Sequence, residues 1–222
     1  MRPFSYILLA LVFLAAATAP HAAQSVLDDS DIQFWNDLQM TAPIAKNLDL
    51  FTVTTLQIHD NISKVDNIRF GVGVTAKPAK GFAVTPFLTF MSDRNILNNF
   101  RYEYRPTVRA VYKYQFKHFS LGHRSQFEYR FRPGRNSWRY RPSVAAEKPL
   151  PESWAKGIKI FAAAEPFYDS IAHRFSRLRL GIGANKSLNE HLSVDVFYFR
   201  QGDNFSLPHT INGIGTVWRL DI

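Results

Sequence analysis

After residue 45, apolar and polar positions alternate with a period of two rather than 3.6, the mark of strands that show a different face to each side. Leu48, Leu50, Thr52, Thr54, Leu56 and Ile58 alternate with Asp49, Phe51, Val53, Thr55 and Gln57. Ile68, Phe70, Val72 and Val74 alternate with Arg69, Gly71, Gly73 and Thr75, and Phe82 to Phe90 follow the same rule. The pattern is clearest from Phe100 to Phe116. One face carries Tyr102, Tyr104, Val108, Ala110, Tyr112 and Tyr114; the other carries Arg101, Glu103, Arg105, Thr107, Arg109 and Lys113. Past a turn at Lys117-His118, Leu121, His123, Ser125, Phe127, Tyr129 and Phe131 oppose Arg124, Gln126, Glu128, Arg130 and Arg132. Pro133-Gly134-Arg135-Asn136 is a turn signal, and alternating runs resume at Trp138–Arg141, Ile158–Glu165, Arg177–Ala184, Leu192–Tyr198 and Ile214–Ile222. Helix-length amphipathic segments are missing from this pattern, so an all-β chain is expected.

Two architectures use such strands. A soluble sandwich buries the apolar face and exposes charge. A transmembrane barrel does the reverse, with apolar residues toward lipid and charge in the lumen. Three features favour an up-and-down antiparallel transmembrane β-barrel. Tyr102 and Tyr112 lie ten steps apart on one run; at ~3.3 Å per residue and a tilt near ~40° they span about 25 Å, the height of a lipid-facing band between aromatic girdles. The runs exceed the roughly 5–6 residues usual in soluble sheets. The polar faces mix Arg with Glu and Asp, as a narrow interior requires. Ten clear runs plus a weaker one over Ile32–Gln39, with Phe34 and Trp35, point to 10 or 12 strands, since single-chain outer-membrane barrels have even counts. Pro106 removes a ladder donor and calls for a bulge or a place near a rim.

The first stretch changes the address. Arg2, an apolar run from Tyr6 to Ala17 and small residues at Ala22 and Ala23 read as a signal peptide over 1–23. Residues 24–46 are then an N-terminal leader or first strand, and 47–222 the barrel. The chain holds no cysteine, so an exported protein here lacks a disulfide framework. The formal net charge of +9 would point to nucleic acid in a cytosolic protein. An exported chain seldom meets it, so no nucleic-acid partner is expected. Most Arg residues fall inside the alternating runs, where a planar fork can pair with carboxylates.

Several of these residues together resemble a known family. The Trp35 segment, His123-Arg124-Ser125-Gln126-Phe127-Glu128-Tyr129-Arg130, Arg139-x-Arg141, Glu165, Arg177-Leu178-Arg179-Leu180-Gly181 and the last strand look like the bacterial outer-membrane barrels catalogued as domain of unknown function 2490. The resemblance implies a barrel in the outer membrane of a Gram-negative bacterium, with no established activity. The C-terminus, with Trp218, Leu220 and Ile222, resembles the sorting signal read by the barrel-assembly machinery, although its last residue is not aromatic. Outer-membrane lipids and that machinery are the expected partners.

Arg124, Glu128, Arg130, Arg139, Arg141, Glu165, Arg177, Arg179 and Asp195 fall on inward faces. They form either a structural charge ladder that fills a narrow barrel or the lining of a small, porin-like, anion-biased pore. An enzymatic alternative lies on the outer face. His123 and Ser125 sit two residues apart on one face, and a Ser nucleophile needs such a base. The arrangement resembles the His-x-Ser motif of outer-membrane phospholipase A, a lipid hydrolase, with Asn136 as the orienting amide. Gln126 and Phe127 stand where that enzyme has Asn-Gly. The histidines lack paired ligand spacing, and Asp28-Asp29-Ser30-Asp31 lacks the Gly and terminal Glu of a calcium loop. Neither cofactor nor metal is expected.

Overall fold

A computed structural model describes residues 29–94 and 100–222; the expected signal peptide lies outside them. Eleven strands follow in order: β1 (Ser30–Ala45), β2 (Leu48–His59), β3 (Lys64–Ala79), β4 (Phe82–Arg94), β5 (Phe100–Gln115), β6 (Ser120–Arg130), β7 (Ser137–Pro149), β8 (Ile158–Asp169), β9 (Arg174–Ser187), β10 (Leu192–Asp203) and β11 (Thr210–Asp221). Each pairs antiparallel with the next, and the sheet closes into a barrel. The all-β barrel is the expected fold; the strand count of 10 or 12 is corrected to eleven. The weaker run around Trp35 is a full wall strand, β1. With an odd count the first and last strands point the same way, so closure has to be parallel, and β1 pairs β11 from Ser30↔Thr210 to Thr41↔Asp221.

Short turns at one end keep the hairpins in register. Lys46-Asn47 and Lys80-Gly81 link their strands with Asn47 and Gly81 at φ 60° and 76°, the left-handed conformation that tight hairpins demand. These turns, those after β5, β7 and β9, and the end of β11 form the C-terminal mouth. The start of β1 and the turns after β2, β6, β8 and β10 form the N-terminal mouth.

Pro106 sits neither at a bulge nor at a rim. The β5–β6 ladder runs to Thr107↔Glu128 and reappears at Tyr104↔Phe131 in the same register, so the missing donor opens the ladder locally without shifting it. In β7–β8 a similar gap separates Tyr140↔Tyr168 from Val144↔Ala164, where Pro142 and Pro166 fall opposite one another.

The barrel is built inside out. Leu38, Val72, Val108, Val144, Leu180, Ile182 and Val196 are exposed on its outer face, whereas Glu103, Arg105, Glu128 and Glu165 are buried within. Outer aromatics gather toward both mouths. Phe127, Trp138, Tyr168 and Phe175 run side by side near the N-terminal mouth, with successive ring centroids 5.6, 5.2 and 5.5 Å apart. Tyr114, Phe116 and Phe119 follow one another near the other, at 4.6 and 4.5 Å. Inner rings need room from the neighbouring strand. A Cβ at Gly73 would lie 2.6 Å from the Cα of Phe87, which packs into the lumen. At Gly122, by contrast, the nearest atom to a Cβ is a carbonyl oxygen 3.9 Å away. Gly73→Ala should therefore lower stability by about 1–3 kcal/mol through overpacking, while Gly122→Ala is neutral or slightly stabilising. Urea unfolding of the two refolded variants checks this, and equal midpoints would refute it.

Candidate functional site: the charged lumen

Strand alternation sends one polar side chain inward every second residue, and neighbouring strands bring opposite charges level. All nine residues expected on inward faces point into the lumen, and they divide into several clusters. At mid-height Glu128 is 1% exposed. It accepts hydrogen bonds from Arg141 Nη1 at 2.6 Å and Gln126 Nε2 at 2.7 Å, with Arg105 Nη1 at 3.2 Å. Glu165 accepts from Arg124 Nη2 at 2.5 Å, Arg141 Nε at 3.0 Å and Arg179 Nη1 at 3.3 Å. Arg141 thus bridges two carboxylates from different strands.

Around this centre the other pairs are more local. Arg130 grips Glu103 with Nε and Nη2, at 2.7 and 2.8 Å, in the two-pronged geometry a guanidinium favours. Nearer the N-terminal mouth Arg139 meets Asp169 at 2.9 Å and Arg177 meets Asp203 through Nε at 2.8 Å. Toward the C-terminal mouth Asp195 takes Arg219 at 2.7 Å and Asn185 at 2.6 Å. Carboxylates buried in this way would be costly without partners, and each of these has at least one.

Aromatic rings complete the packing. Phe167 is 2% exposed, and the guanidinium carbons of Arg139, Arg141, Arg177 and Arg179 lie 5.8, 4.6, 5.5 and 5.0 Å from its centroid. Arg179 also stacks 4.3 Å over Trp35. These contacts exploit the negative ring face. The lumen consequently divides into a chamber of about 440 Å³ toward the N-terminal mouth and one of about 320 Å³ toward the other. Trp35, Gln57, Arg69, Arg105, Arg141 and Arg179 line both, and form the waist between them.

Sequence reasoning did not single out Glu103, Arg105, Asp169, Asp203 or Arg219 as members of this network. Glu103 and Arg105 were legible, since they alternate with Tyr102 and Tyr104. Asp203 falls between the alternating runs that end at Tyr198 and resume at Ile214. Phe167 and Trp35 stand on polar faces as apolar residues, and only their inward position makes them stacking platforms.

On the outer wall His123 Nε2 lies 3.1 Å from Ser125 Oγ, whose oxygen is also 2.9 Å from the Tyr140 hydroxyl. Asn136 does not join them. His123 pairs with Val144 while Arg130 pairs with Ser137, so Asn136 lies beyond the far end of the hairpin, more than ~20 Å along the strands. That part of the expected arrangement is corrected. Among the described residues there is no group of three or more His, Asp or Glu able to hold a metal ion.

A family model described as "Protein of unknown function (DUF2490)" matches residues 32–211. Curated proteins give no match. Of solved structures, the NanC porin is similar with a TM-score of 0.49 at 7% identity, over 85% of this chain and 95% of its own. The translocator domain of the autotransporter NalP from Neisseria meningitidis is similar with a TM-score of 0.43 at 10% identity, over 77% of this chain and 72% of its own.

The pairing of Glu128 has a measurable weight. Glu128→Ala leaves buried guanidinium groups short of an acceptor and should cost about 3–5 kcal/mol. Glu147→Ala, which removes a rim pair with Lys113, should cost less than about 1 kcal/mol. Equal losses in urea unfolding would contradict this account.

Proposed function

The chain belongs to the DUF2490 family of proteins of unknown function, and we propose that it serves as a small-solute, anion-biased pore in the outer membrane of a Gram-negative bacterium. The observation that carries the reading is the waist. Four of the six side chains shared by the two chambers are arginines: Arg69, Arg105, Arg141 and Arg179. Glu128 and Glu165, the carboxylates that answer Arg105, Arg141 and Arg179, are almost fully buried, and Arg69 donates to the amide oxygens of Asn67 and Gln57. A solute crossing the waist meets guanidinium groups, which favours anions. Tight ion pairing there keeps the passage narrow.

The membrane address is supported by the outer face. Its exposed aliphatic residues lie between aromatic groups near both mouths, the arrangement that suits a hydrocarbon layer about 25 Å thick, and a closed barrel leaves no open sheet edge within it. Outer-membrane lipids would cover that face, and the barrel-assembly machinery would insert it, as the signal peptide and last strand suggest.

A second reading, lipid hydrolysis at His123 and Ser125, is favoured by their 3.1 Å contact. Against it, Ser125 shares its hydroxyl with Tyr140.

Planar-bilayer recording of the refolded protein tests the first reading. Small steps with anion-selective reversal potentials are expected, and Arg179→Gln should reduce the selectivity. A correctly folded barrel that stays silent, or one that prefers cations, would end the pore reading. For the second, any phospholipid hydrolysis by the refolded protein must vanish in Ser125→Ala while heat-modifiable folding persists; hydrolysis that survives the substitution removes it.

A further inference from the structure

Arg109 stands apart from the paired guanidinium groups of the lumen. Among the described residues it forms neither an ion pair nor a hydrogen bond. Its guanidinium carbon lies 4.7 Å from the Phe51 centroid and 5.2 Å from that of Phe87. Those rings meet edge-on at 5.6 Å, and Gly73 makes the space for one of them. Arg109 is thus held by its ring contacts while its five N–H donors go unused, and it lines the chamber toward the C-terminal mouth.

Other arginines share its part of the lumen. Arg109 pairs with Gln126 across β5–β6, which puts Arg124 on the diagonal of the same inward face, within reach of a long side chain. Arg124 lines the same chamber, and its Nε is buried without a partner. Seven arginines, Arg109 among them, line this chamber against four carboxylates, Asp37, Glu128, Glu165 and Asp195. Like charges gathered in a confined space favour a counter-anion.

We propose that this chamber binds a small oxyanion, a carboxylate or a phosphate group, with Arg109 as the central ligand and Arg124 and Arg219 at its sides. The volume of about 320 Å³ falls at the lower end of the roughly 300–1,000 Å³ of small-molecule sites. A planar fork fixed by stacking suits two oxygens of one anion better than a lysine would. The proposal deepens the anion-biased reading above and rests on a lumen that solutes can enter.

Titration calorimetry on the refolded barrel in zwitterionic micelles, at constant ionic strength in chloride, tests it with inorganic phosphate and with succinate. Saturable binding of at least one probe is expected, and the tighter one identifies the headgroup. Arg109→Gln should weaken it about tenfold or more, while Arg135→Gln, in the exposed β6–β7 turn, leaves it unchanged. No saturable binding, or equal affinity in Arg109→Gln, overturns the site, as does an equal loss in Arg135→Gln. If Arg109→Gln does not fold, Arg109→Lys decides: weaker binding supports the fork, and unchanged affinity overturns it. A barrel that binds without conducting keeps this site and loses the pore; one that conducts without binding does the opposite.

Discussion

A sheet that turns an apolar face outward sends its charged side chains into a narrow interior, where water is scarce and an isolated charge is expensive. In this barrel the demand that inward guanidinium groups find acceptors organises much of the rest. It places Glu128 and Glu165 at mid-height, each serving several arginines. Arg141 bridges both, joining β6 and β8 through β7. The wall is held by its backbone ladder, but the interior is held by shared carboxylates.

Aromatic faces add a second anchor beside the carboxylates. Phe167 receives four guanidinium groups, and Trp35 receives Arg179. A ring offers attraction without taking a proton donor, so an arginine can be anchored and still keep its hydrogen-bonding capacity. The waist uses both devices together: Arg179 contacts Glu165 and Gln201 and also lies on Trp35. Arg109 uses the second device alone, between Phe51 and Phe87. The two chambers differ for that reason. Toward the N-terminal mouth, arginines such as Arg139 and Arg177 are neutralised by aspartates at the strand ends, whereas the other chamber keeps a guanidinium unspent.

Much of this was legible from alternation alone. A period of two fixes which side chains share a face, so the inward set from Arg124 to Asp195 could be read from the sequence alone. Partners could not, because pairing depends on register between strands, and register is a property of two segments at once. That is why Arg124 and Glu165, 41 residues apart, meet across β7 while Asn136, only 13 positions from His123, lies far from it. The odd strand count escaped for a similar reason. The Trp35 run alternates weakly because its inward positions include Trp35 itself, and parallel closure leaves no local mark in the sequence.

That parallel seam carries a topological consequence. In a barrel with an even number of antiparallel strands, the chain enters and leaves at the same rim. Here β1 begins at Ser30 beside Thr210, and β11 finishes at Asp221 beside Thr41, at the opposite rim. If the wall spans a bilayer, the start of β1 and the end of β11 face different compartments. The same polypeptide would then present one end to each side of the membrane it crosses.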